Sequence, residues 1–94
     1  MGIRVIEGVE YPRLSEEIAK LVARTRHHRI HDHDTVNQLN IVVGYTYLLQ
    51  FHPQCWKQLR KHFEAFTDLA CTDGHLDLCD HSAKIIEMMN GSER

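Results

Sequence analysis

Arg24-Thr25-Arg26-His27-His28-Arg29-Ile30-His31-Asp32-His33-Asp34 is the stretch on which the fold turns. Ile30 is its one apolar residue, so no hydrophobic stripe can be followed through it. Either a loop separates two helices here, or one long helix passes through a polar, exposed middle. No glycine or proline occurs between Pro12 and Gly44, which favours the continuous helix.

On the N-terminal side, Pro12 suits the first turn of a helix, where its missing N–H is not needed. Glu16 and Glu17 are placed to complement the positive end of the helix dipole. Leu14, Ile18, Leu21 and Val22 make one apolar stripe. Residues 1–11 alternate apolar and charged types and then reach Gly8, which predicts a short arm that packs on the body or frays.

On the C-terminal side the apolar pattern returns with Val36, Leu39 and Val43, flanked by Ile41, Val42, Tyr45, Leu48 and Leu49. Pro53 pushes the preceding residue out of the α region, so the first arm stops near Phe51 or His52. Trp56, Leu59, Phe63, Phe66 and Ala70 follow at steps of three and four, with Lys57, Arg60, Lys61 and Glu64 on a wet face. Thr72-Asp73-Gly74 is a break or a kink. Leu76, Cys79, Ala83 and Ile86 then repeat the spacing, Gly91 suits the position after a helix, and Ser92-Glu93-Arg94 is a tail.

These readings predict a single all-α domain over residues 1–94. Its frame is an antiparallel helical hairpin with arms at about 13–50 and 54–90, the second arm open to a break at 72–75. Two helices leave much apolar surface wet, so a C2 homodimer forming a four-helix bundle is expected.

A chain of 94 residues with formal charge -2 has no basic excess, so nucleic acid is not expected as a partner. No apolar run approaches a membrane span, and Met1-Gly2-Ile3-Arg4 lacks the apolar core of a signal peptide. Cys55, Cys71 and Cys79 are odd in number and form no Cys-x-x-Cys pair. That predicts free thiols in a reducing, cytoplasmic setting, with Cys71 and Cys79 in the core. Eight histidines are the compositional outlier.

The run His33-Asp34-x-x-Asn37-x-Leu39-x-x-Val42-x-Gly44-Tyr45-x-x-Leu48-Leu49 resembles the phosphoacceptor helix of sensor histidine kinases. In that dimerisation and histidine-phosphotransfer domain the pattern is His, Glu or Asp, two variable positions, Asn or Thr, often Pro, Leu, an aliphatic residue, Gly-Tyr and Leu-Leu. The spacing matches without a gap from His33 to Leu49. Gln38 departs from it where proline is common, and Val36 where a basic residue is common. The resemblance implies a phosphotransfer module in two-component signalling rather than a self-sufficient kinase, because the chain has no room for an ATP-binding domain. Its partner would be a kinase or response regulator, which would supply Mg²⁺. The module itself would need no cofactor.

The chemistry is consistent with those residue types. A neutral imidazole at His33 is nucleophilic without a metal. Asp34 would accept the ring proton or fix the tautomer. Asn37, at i+4, would meet the ring or the phosphoryl oxygens, and Arg29 would help to neutralise the phosphoryl group. An ordered loop across Arg24–Asp34 would remove this geometry.

Such a loop would favour a competing reading, a metal-binding or metal-sensing bundle. His27 and His31 are spaced i, i+4, as are His28 and Asp32, and the hairpin would bring His75 towards them. Imidazole and carboxylate ligands suit zinc or nickel. A third reading is a dimerisation or interaction module without chemistry.

Overall fold

Glu7 and Gly8 both take positive φ, 51° and 78°, the turn that matches the twist of a tight hairpin. They join β1 (Val5–Ile6) to β2 (Val9–Glu10), antiparallel, with Val5 opposite Glu10 and Ile6 opposite Val9. Ile6 and Val9 are buried, so the N-terminal arm packs on the body. The structure is a computed structural model that describes residues 2–91, and the expected tail at 92–94 lies outside the described residues.

Helix α1 runs from Tyr11 to His27 with Pro12 in its first turn. Leu14, Ile18, Leu21 and Thr25 form its buried stripe, and the Thr25 hydroxyl donates to the Leu21 carbonyl at 2.8 Å. Because the helix begins at Tyr11, Glu16 and Glu17 lie beyond its first turn and do not serve the dipole as expected. Each instead stands 3.4 Å from Lys20.

The first arm is not continuous. Helix α1 ends at His27, and Arg29 takes a left-handed φ of 52°. Helix α2 (His33–Leu48) starts afresh behind Asp32, whose carboxylate accepts the Thr35 N–H at 3.0 Å and the Thr35 hydroxyl at 2.7 Å. That N-cap satisfies a helix-end donor and a buried hydroxyl together. A local side-chain hydrogen bond makes the break that glycine or proline would ordinarily mark.

Pro53–Cys55 form one 3-10 turn that opens α3 (Trp56–Thr72). Trp56, Leu59, Phe63, Phe66 and Ala70 are all buried, as their spacing predicts. Gly74, at φ 81°, ends this helix. The His75 N–H reaches back to the Ala70 carbonyl at 2.9 Å and the Gly74 N–H to the Cys71 carbonyl at 3.2 Å. This paired closure needs a left-handed residue, which glycine supplies without a Cβ penalty. Helix α4 (Leu76–Met89) follows, and Gly91 takes φ 71° beyond its end.

Two stripes differ from expectation. The buried side of α2 is Thr35, Leu39, Val42, Thr46 and Leu49, while Val43 is exposed. The buried side of α4 is Leu78, Ser82, Ile85, Met88 and Met89, while Leu76 is exposed. In both helices hydroxyl residues occupy core positions that an apolar count passes over. Thr46 bonds the Val42 carbonyl at 2.8 Å, and Ser82 pairs with Thr67 of α3.

Cys71 and Cys79 form a disulfide, with Cα atoms 5.1 Å apart. Neither is in the core: Cys71 is exposed and Cys79 half-buried. The turn at Gly74 brings them together, so neither the expectation of free thiols nor the argument from cysteine usage for a reducing compartment survives. Cys55 is free and half-buried.

The described residues of one chain thus form four helices. Helix α2 packs on α3, α3 on α4, and α1 on α4 and β2. Helices α1 and α2 meet sparsely, joined at one end by the Tyr11 hydroxyl, which donates to the Thr46 carbonyl at 2.8 Å. An apolar groove stays open between them. Among the described residues no helix is long and apolar enough to cross a membrane.

Candidate functional site

The residues singled out for phosphotransfer sit at the start of α2. His33 is its first residue, not a mid-helix one, and His33, Asp34 and Asn37 are all exposed. His33 and Asn37 remain one turn apart. With Ile30, His31, Val36 and Asn40 they line an open hollow of about 390 Å³. Asp32 is committed to its cap. Its carboxyl is held below the usual carboxylate range, first by the Thr35 hydroxyl and then by the Thr35 N–H. Arg29 lies in the loop, so its helical spacing to His33 is lost.

The histidines proposed for metal are only partly brought together. His28 and His75 line one hollow of about 250 Å³ with Asp77, so His75 does approach the end of α1. His28 Nε2 stands 3.7 Å from Asp77 Oδ2. His27 packs edge-on against His28, and His31 belongs to the other hollow. Among the described residues no three His, Cys, Asp or Glu side chains converge on a point where an ion could sit.

Two other histidines, His62 and His81, tie helices together. His62 Nδ1 is 3.0 Å from Gln38 Oε1, and its ring stacks on Tyr45 at 5.6 Å, linking α3 to α2. His81 Nε2 is 3.0 Å from Glu17 Oε1, linking α4 to α1.

The groove between α1 and α2 has a volume of about 640 Å³. On the α1 side Ile18, Val22 and Arg26 line it together with the smaller Ser15, Ala19 and Ala23, and on the α2 side Val36, Asn40, Val43, Tyr47 and Gln50 are among its lining. Beside it Tyr47 is 61% exposed, Phe51 63%, Val43 42% and Leu48 38%. The Tyr47 and Phe51 rings touch edge-on at 5.8 Å. From Thr35 to Trp56 the chain contains no Asp, Glu, Lys or Arg. Among the described residues α2 is therefore the helix without a charged wet face beyond its first turn; α1 and α3 each carry several acidic and basic residues, and α4 carries Asp77, Asp80, Lys84 and Glu87. A helix that is apolar nearly all round is ordinarily buried. This signal was present in the sequence as an absence of charge, which a search for periodic apolar residues does not detect.

Compared with known proteins, the chain matches no family model, no curated protein and no solved structure.

Proposed function

We propose that the chain is a protein-interaction module that works through the outward face of α2, without chemistry of its own. One observation carries this reading. Val43, Tyr47, Leu48 and Phe51 stand exposed on a segment free of charged residues, beside an apolar groove. Scattered exposed apolar residues are ordinary on a monomer, but a contiguous patch flanking a groove marks a contact surface. A photo-crosslinking residue at position 43, compared with one at Lys61 on α3, tests it in cells. Protein adducts from position 43 alone support the reading, and none from either position overturns it.

A second reading has its own support, because His33 and Asn37 share one open hollow with Asp34 exposed beside them. His33 would then accept a phosphoryl group in a two-component relay. The imidazole nitrogen attacks phosphorus, the donor's oxygen leaves, and the kinase or response-regulator partner supplies Mg²⁺. The loop before α2 counts against it, since it replaces the mid-helix setting that the resemblance implies. Incubation with a panel of phosphodonors decides. Acid-labile, alkali-stable label that disappears in His33→Ala supports this reading, and absence of label from every donor removes it.

A further inference from the structure

The groove between α1 and α2 follows α1 from Tyr11 to Arg26, a distance of about 22 Å at 1.5 Å per residue. The Tyr11 hydroxyl, donating to the Thr46 carbonyl, marks one end. Buried Ile18 and Leu39 lie at its base, and half-buried Val22 and Ile30 carry the apolar lining to the other end. Several lining hydroxyls are already spent within the chain. Tyr11 donates to Thr46, Thr25 to the Leu21 carbonyl and Thr46 to the Val42 carbonyl. The volume of about 640 Å³ lies within the roughly 300–1,000 Å³ of small-ligand sites, which are mostly apolar with a few polar groups that fix orientation.

Charge is distributed unevenly along this trough. Among the described residues that line it, Arg26 alone is charged. Arg26 stands in the last turn of α1, at the end away from Tyr11, and is exposed. Among the described residues no carboxylate pairs with its guanidinium. Arg24 and Arg29, both exposed, add positive charge at the same end of α1, while the Asp32 carboxylate beyond them is turned to Thr35. The α2 side contributes no charge at all, since the chain has no Asp, Glu, Lys or Arg from Thr35 to Trp56.

We propose that the groove binds an unbranched long-chain monocarboxylate, its tail laid along Ile18, Val22 and Leu39 and its carboxylate held by Arg26. A planar guanidinium presents parallel N–H donors that one carboxylate accepts together. Because Arg26 lies at the exposed mouth, the head group keeps part of its hydration and no unpaired charge is buried. The tail meets uncharged side chains and displaces water from apolar surface. A cationic amphiphile would set its charge against Arg26. A multiply charged anion would find no second cation on the groove wall among the described residues. One charge at the end of a long apolar trough matches one charge at the end of a long apolar molecule. The proposal goes beyond the reading of α2 as a contact surface and does not depend on it.

Equilibrium dialysis of the purified chain against dodecanoate, kept below the concentration at which it forms micelles, tests the proposal. Saturable binding is expected. Arg26→Gln should weaken it tenfold or more with unchanged helical circular dichroism, and Arg24→Gln, outside the lining, should leave it unchanged. Dodecyltrimethylammonium, with the same tail and the opposite charge, should bind at least tenfold more weakly than dodecanoate. Ala19→Trp and Ala23→Trp each place a bulky ring in the groove from an exposed position of α1, so either variant, if folded, should abolish binding. Absence of saturable dodecanoate binding overturns the proposal. So does binding that is indifferent to Arg26→Gln, equal for the cationic amphiphile, or retained in a folded tryptophan variant, since each result means adsorption to apolar surface without the groove or its arginine.

Discussion

His81 Nε2 lies 3.0 Å from Glu17 Oε1, so one imidazole ties α4 to α1 between residues 64 positions apart. The carboxylate accepts, so Nε2 carries the proton, and Nδ1 is left buried without a hydrogen-bond partner among the described residues. The hydrogen bond from His81 is the main reason the Glu17 carboxyl sits below its ordinary range. A lowered carboxyl pKa adds stability above the ordinary value, and that stability is lost as pH falls through the lowered one. Glu17→Gln should therefore cost about 0.5–1 kcal/mol near neutral pH. It should also flatten the acid limb of a stability–pH curve from urea unfolding.

Asp32 holds the start of α2 through two hydrogen bonds to Thr35, whose side chain is fully buried. Asp32→Ala removes the cap and also orphans a buried hydroxyl, so it should lower stability. Asp32→Asn should recover much of the loss, because an amide oxygen still caps. Chemical denaturation of the three proteins checks this order. The Asp32 carboxyl is also held low, so its contribution should fade as pH falls below the usual carboxylate range.

The Cys71–Cys79 bond closes a short loop around Gly74. In the chain-entropy account such a loop is worth about 2–3 kcal/mol. Reduction, or Cys71→Ser with Cys79→Ser, should lower the melting temperature without loss of α3. Thiol counting under denaturing conditions should find one free thiol before reduction and three after it.

Gly44→Ala should raise stability by up to about 1 kcal/mol, since the added methyl meets nothing within the chain. Chemical denaturation of the two proteins checks this.

Much of the fold was legible from apolar spacing, most fully in α3, where every expected core residue is buried. The loop before α2 was not, because the break is made by Asp32 capping and a left-handed Arg29 rather than by a breaker residue. The inward face of α2 was misread for a different reason. Apolar residues surround that helix, so periodicity alone cannot choose a side. Thr35, Thr46 and Ser82 are buried because local partners satisfy their hydroxyls, which a hydrophobic pattern does not register. The disulfide needed the Gly74 turn to be known first. Of the candidate site, the i, i+4 relation of His33 and Asn37 was readable, but its place at a helix start was not.

The order of packing has a kinetic consequence. Helices α2, α3 and α4 each pack on their neighbour in sequence, and only α1 must close on a distant helix. Contacts between near neighbours cost less chain entropy to make, so the α2–α3–α4 unit should form first and α1 should dock last. What docks last is also what opens most easily. Amide exchange in α1 should outpace that in α3, and a protease should cut first at His28–Asp32, releasing α1 as a detachable strap that is itself one wall of the groove.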